Sequence, residues 1–157
     1  MTLEDLLARE SIRDTMARYT TAGDRLRIDE FVAVFTEDAI LESEGVPEKD
    51  SFRYAGRDEI GQWISRWTRT PDAALRAHQA RFVRHHLATS LIELTGPDEA
   101  RARTYWTAYT DIGPDHGGYY LDIFRKTGGQ WLIAHRRIRL DWQSPDTLFG
   151  TAVSRTR

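Results

Sequence analysis

The sequence contains no cysteine, which excludes disulfides, a thiolate zinc site and a cysteine nucleophile. It has no apolar run long enough to cross a bilayer. It also lacks a surplus of either charge: 22 basic residues face 24 acidic ones, the net charge is −2, and the two signs are interspersed. Nucleic-acid binders usually gather positive charge on one face. The nearest approach here is Arg136, Arg137 and Arg139, which strand alternation divides between two faces. Neither a nucleic acid nor a membrane is expected as a partner. The opening MTLEDLLARE carries acids where a secretory signal carries bases, so the expectation is a cytoplasmic protein. His78, His85, His86, His116 and His135 show no metal-ligand spacing such as HExxH, so no metal site is expected.

What is present is a globular balance. The chain has 157 residues, 40% hydrophobic and 29% charged, enough for one domain with a real core. Thr2 to about Ala22 reads as a helix, with Thr2 and Asp5 as a capping box, Ile12, Met16 and Tyr19 on its buried stripe, and Gly23 as its stop. A short helix follows, capped by Asp29, then a turn at Thr36-Glu37-Asp38 and a strand at about Ala39 to Ser43. Glu44 to Ser51 reads as a loop. A third helix covers Arg57 to about Arg69, with Ile60, Trp63, Ile64 and Trp67 on one side, and Pro71 ends it. The period then changes to two, predicting strands at about Ala80–Leu94, Glu99–Ile112, Gly117–Lys126 and Trp131–Trp142. Gly96-Pro97-Asp98 and Thr127-Gly128-Gly129 are the turns, and Gly113 to Gly117 is a longer connection. Helices followed by an antiparallel meander predict an α+β domain over residues 1–143, with a tail over 144–157.

Strand parity selects candidate inner residues. In the last strand Leu132, Ala134, Arg136, Ile138, Leu140 and Trp142 share a face, which aims Arg136 at the core. A buried guanidinium is costly unless paired. Either it serves a ligand, or it makes a structural salt bridge to a buried acid, or a bulge turns it outward. In the second long strand Ala100, Ala102, Thr104, Trp106, Ala108 and Thr110 form a small-residue face around one large ring. Trp106 either fills the core or lines a ligand space. Parity does not choose between His85 and His86, but the small neighbours Ala88 and Ser90 favour His86 facing a cavity. Asp24 lies past the end of the first helix, where the dipole disfavours a carboxylate by ~1 kcal/mol or less. It is either a turn residue or the group that orients a histidine, fixing its tautomer and making the other ring nitrogen a better base.

Arg18-Tyr19 followed by Asp24, then Phe35-Thr36-Glu37-Asp38-Ala39, then His85-His86-Leu87-Ala88-Thr89, then Gly129-Gln130-Trp131 through Arg137 resemble the SnoaL-like branch of the nuclear-transport-factor-2-like superfamily. The resemblance runs from about Leu3 to Trp142. It implies a cone-shaped α+β barrel, a bent antiparallel sheet wrapped around the N-terminal helices with a pocket at the open end. Family members include cofactor-free dehydratases and a dehydrochlorinase that use an Asp–His pair as general base. By position the resemblance implies Asp24 and His86 as that pair. Tyr19 and Arg136 would then bind the departing or developing negative charge, with no cofactor. Trp63, Trp67, Trp106 and Phe35 would contact a small cyclic or aromatic substrate. Several family features are missing: an acid falls at Ala108, an arginine falls at Leu140, and the second histidine of scytalone dehydratase has no obvious counterpart. The expected function is a lyase, dehydratase or isomerase. The alternative is a non-catalytic ligand-binding or assembly module, such as a small subunit of a ring-hydroxylating oxygenase. The resemblance also implies a homo-oligomer, dimer or trimer, through the convex sheet face.

Overall fold

A computed structural model describes residues 1–68 and 80–149. In chain order it contains α1 (Leu3–Asp24), α2 (Ile28–Ala33), β1 (Phe35–Glu44), β2 (Arg53–Ala55), α3 (Gly56–Ser65), β3 (Arg84–Leu94), β4 (Glu99–Thr110), β5 (Gly113–Thr127) and β6 (Gln130–Gln143). The capping box of Thr2 and Asp5 is present, each side chain bonding the other's backbone N–H. Gly23 is not the stop. α1 runs to Asp24, and Leu26 takes the left-handed conformation at φ 54°. Gly23 instead lets Phe31 approach, since a Cβ there would stand 3.2 Å from the Phe31 ring. No side chain caps α2, and Asp29 sits in its first turn. β1 begins at Phe35, so Thr36-Glu37-Asp38 lies within a strand and not a turn. The short β2 falls just after the expected loop. Arg69, Pro71 and His78 lie outside the described residues.

The six strands form one sheet in the order β2-β1-β6-β5-β4-β3. All neighbours are antiparallel except β1 and β6, which run parallel. The helices fill one face: Ile12, Met16 and Tyr19 of α1, Phe31 of α2 and Ile60 of α3 join Phe35, Leu41, Phe124 and Ile133 of the sheet in a continuous core. Burying each such side chain is worth roughly 1.5–3 kcal/mol. Thr15 ties α1 to β6 by donating to the Trp131 carbonyl at 2.6 Å.

β4 carries no inserted residue, and the whole expected face, Ala100, Ala102, Thr104, Trp106, Ala108 and Thr110, is buried. Its neighbours do not keep such simple alternation. Leu87 pairs with Trp106 but Ser90 pairs with Thr104, so β3 has one residue too many between them. His116 pairs with Ala108 and Pro114 with Tyr109, so Asp115 is an extra residue in β5. His135 pairs with Ile123 and Ile133 with Phe124, so Ala134 is an extra residue in β6. Each insertion is a β-bulge, which flips the parity of everything beyond it. Trp131, Ile133 and Arg136 are therefore all buried. The face expected from alternation holds only from Ala134 to Leu140: Leu132 is not part of the core cluster, and Trp142, beyond a second inserted residue at Asp141, is exposed.

Candidate active site

Asp24 ends α1 facing β3, one of the two edge strands. One carboxylate oxygen accepts the His85 backbone N–H at 3.0 Å, and the other lies 2.6 Å from His85 Nδ1. Pairing through Nδ1 leaves Nε2 with the free lone pair. The partner of Asp24 is thus His85, and the expected pair with His86 is corrected. The bulge between Leu87 and Ser90 puts His85 and Leu87 on the same side as Ser90, Ile92 and Leu94, so counting alternate residues back from Ser90 reached the wrong histidine. His86 is exposed and stacks on Tyr109, with ring centroids 4.4 Å apart.

Ala108 is flanked by His85 on β3 and His116 on β5. The two imidazoles meet over its methyl group, edge to face, with centroids 6.3 Å apart. His116 is held like His85: its Nδ1 lies 2.8 Å from Asp115. Adjacent strand residues ordinarily point apart, but the bulge at Asp115 lets this carboxylate turn in beside its neighbour's ring. Asp115 is fully buried. Burial opposes its ionisation, but bonds from the Leu148 N–H, Thr147, His116 and Thr110 outweigh that and hold its carboxyl below the usual range. Burial pushes the His116 imidazole down, against the opposing pull of Asp115. Sequence reasoning passed over Asp115 and His116. The signal available was Ala108: a methyl at an inner position of β4 leaves room for a side chain from the next strand.

Trp106 lies two residues along β4. Its ring centroid is 5.6 Å from each imidazole, and its face stacks on Tyr120 at 5.4 Å. Tyr120 in turn meets Tyr19 edge-on at 5.8 Å. Burial raises the pKa of both phenols, well above the ordinary value for Tyr120, so both stay neutral donors. Both also feel the charge of Asp24.

Arg136 lies against this layer and commits two of its nitrogens to a buried acid, while Nη1 is buried with no partner among the described residues. Its Nε and one terminal nitrogen donate to the two oxygens of Asp122 at 2.8 and 2.7 Å, and both side chains are buried. The guanidinium carbon lies 4.0 Å from the centre of the Tyr19 ring and 4.1 Å from that of Tyr120. Burial disfavours its charge, but Asp122 more than compensates. Of the two roles open to a buried Arg136, the geometry supports the structural salt bridge, and the bulge keeps the side chain in rather than turning it out.

The expected substrate contacts separate. Trp106 is at the histidines. Trp67, about half exposed, reaches them through Phe149, which lies 5.9 Å from Trp67 and 4.8 Å from His116. Phe35 is fully buried and packs on Tyr19 and Phe31, so it belongs to the core. Trp63 stacks with Phe52 and Tyr54 and meets Phe31 at 6.2 Å, so it packs against the core and not at the histidines. Among the described residues no group of histidines, aspartates and glutamates could hold a metal ion, and no helix is long and apolar enough to cross a membrane.

The fold recurs in solved structures. A candidate scytalone dehydratase from Novosphingobium aromaticivorans is 26% identical over 92% of this chain and 91% of its own, with a TM-score of 0.73. A hexachlorocyclohexane dehydrochlorinase of the LinA type 3 from Novosphingobium barchaimii is 15% identical over 91% and 92%, with a TM-score of 0.71. The β subunit of a candidate aromatic-ring-hydroxylating dioxygenase from N. aromaticivorans is 18% identical over 89% and 93%, with a TM-score of 0.68. No curated protein sequence matches. The SnoaL-like domain matches residues 4–137, and by fold and sequence together this chain belongs to the SnoaL-like family.

Proposed function

We propose that the protein is a cofactor-independent lyase, a dehydratase acting on a small cyclic hydroxy compound. One observation carries this reading: two imidazoles face each other across Ala108, and each has its Nδ1 held by a carboxylate. His85 Nε2 takes a proton from the carbon next to the one bearing the hydroxyl. The C–H electron pair becomes the double bond and the C–O bond breaks. His116, as imidazolium, gives its Nε2 proton to the departing oxygen, which leaves as water. His85 ends protonated and His116 neutral, and exchange with solvent resets both. Burial makes the His116 imidazolium a stronger acid than an ordinary one, which suits it to protonate a hydroxyl. The neutral phenols of Tyr19 and Tyr120 supply further donors for negative charge on the substrate.

The likeness to a candidate scytalone dehydratase supports this reading, as does the His116 imidazole in the role of the second histidine. Arg136 supports the site from below, holding the two tyrosine rings. The alternative of a non-catalytic assembly module draws on the dioxygenase subunit's fold, but it gives no reason for two carboxylate-held histidines to converge.

The test is a panel of cyclic β-hydroxy ketones and chlorinated cyclohexanes, followed by ultraviolet absorbance of conjugated products and by chloride release. His85→Ala is expected to lower kcat by about 10²–10⁴-fold, the usual contribution of a general base. His86→Ala is expected to leave turnover within a few-fold. Wild-type turnover in His85→Ala would end the proposal.

A further inference from the structure

The six described residues after β6, 144–149, stay against the domain. Ser144 N–H donates to the Asp115 carbonyl at 2.7 Å. Thr147 Oγ1 donates to the Asp115 carboxylate, and the Leu148 N–H donates to its other oxygen at 3.0 Å. Gln143 Nε2 donates to the Phe149 carbonyl at 3.0 Å, and the Phe149 N–H donates to Thr147 Oγ1 at 3.1 Å. The segment is thus a strap pinned to one buried carboxylate, the same one that holds His116. Its last described side chain, Phe149, lies against the His116 ring, which Trp106 also meets.

We propose that this strap is a working part of the site: Thr147 is a positioning residue that acts on His116 through Asp115, and Phe149 is the cover that keeps water from the His116 ring. The proposal rests on the reading of His116 as the acid. Asp115 is a shared anchor whose negative charge is divided among its donors. A tightly seated strap takes part of that charge and dries the ring, so the imidazolium is a stronger acid. A lifted strap returns the charge to His116 and lets water in, so the imidazolium becomes a weaker one. The charged and titratable groups facing His116 are Asp115 on its own strand and His85 on β3, with Asp24 of α1 behind His85. Among the described residues the strap sets Thr147, Leu148 and Phe149 at Asp115 and His116, and its one titratable side chain, Asp146, is exposed. The strap's influence therefore passes through hydrogen bonding and exclusion of water, not through a charge of its own.

The experiment is a histidine NMR titration of the full chain, reading the pKa and tautomer of His116 and His85 with no substrate present. Phe149→Ala is expected to raise the His116 pKa by about half a unit or more, as a buried imidazole gains water. Thr147→Val is expected to raise it in the same direction, because the carboxylate loses a donor. Phe149→Leu, which keeps the cover, is expected to restore most of the native value, and His85 should move clearly less in all three. Folded variants in which His116 titrates as in the native chain would overturn the coupling and leave the dehydratase reading intact. A His116 shift in the strap variants together with full turnover in His85→Ala would do the reverse.

Discussion

His85 and His86 are neighbours in the sequence and lie on opposite faces of the sheet. Their environments explain why only one of them can be a base held by a carboxylate: Asp24 closes both the backbone N–H and the ring of His85, whereas His86 rests on Tyr109 in solvent. Arg136 shows the same dependence on a single partner. Replacing it with methionine strands the Asp122 carboxylate in the core, and breaking a buried pair in this way costs about 3–5 kcal/mol. The double variant Arg136→Met, Asp122→Leu should recover most of that loss, as read by the urea midpoints of the two proteins. A double variant no more stable than the single one would show that the guanidinium matters for something other than its partner. At this scale the burial of Tyr19, Trp106 and Arg136 was legible from helix and strand periodicity, and Asp24 stood out by its place at the end of α1. Asp122 and Asp115 were not, since nothing in a strand sequence says which acid turns inward.

Alternation was a sound guide wherever the strand was regular and failed wherever a residue was inserted. β4 was read correctly along its whole inner face. β3, β5 and β6 each carry a bulge, and the bulges fall at the residues that build the site: beside Leu87, at Asp115 and at Ala134. Deleting Ala134 should therefore do more than shorten β6. Either Trp131 and Ile133 swing to the outer face or Arg136 leaves Asp122. Losing Trp131 and Ile133 alone forfeits roughly 1.5–3 kcal/mol for each side chain. Chemical denaturation would measure the loss, and a deletion variant with native stability would show that the bulge is dispensable. The second irregularity of β6, at Asp141, brings a backbone close to Gly118, where a Cβ would meet the Arg139 carbonyl oxygen at 1.9 Å. Gly118→Ala is expected to lower the Tm sharply, whereas Gly96→Ala, with open space around it, should leave it nearly unchanged. The parallel pairing of β1 with β6 was also hidden, because hydropathy patterns carry no strand order.

The molecule as a whole should lose stability towards acid in two steps. His116 has a folded pKa below its ordinary value, so the unfolded chain binds the proton first, and its contribution to stability declines as the pH falls below about 6.5. Asp115 and Glu42 are also held low, burial opposing and their hydrogen bonds prevailing. Their contributions are complete above the unfolded carboxyl range and are lost as the pH drops below about 4. Urea midpoints measured from pH 8 to pH 3 should show both declines, with the first absent in His116→Gln. A first decline that persists in that variant would assign it to another group.

The strand order carries a consequence for how the chain is made. β1 has only the three-residue β2 on one side, and its other neighbour is the last strand of the sheet. Until β6 has been synthesised, Phe35 and Leu41 have no long strand beside them, and the sheet has an open seam through its middle. Contacts between such distant segments slow folding and prolong exposure to aggregation. A nascent chain arrested before Trp131 would hold its helices and the β3–β5 meander as two halves joined through side-chain contacts of α1 such as Asp24–His85 and not through the sheet, a natural target for a chaperone during translation.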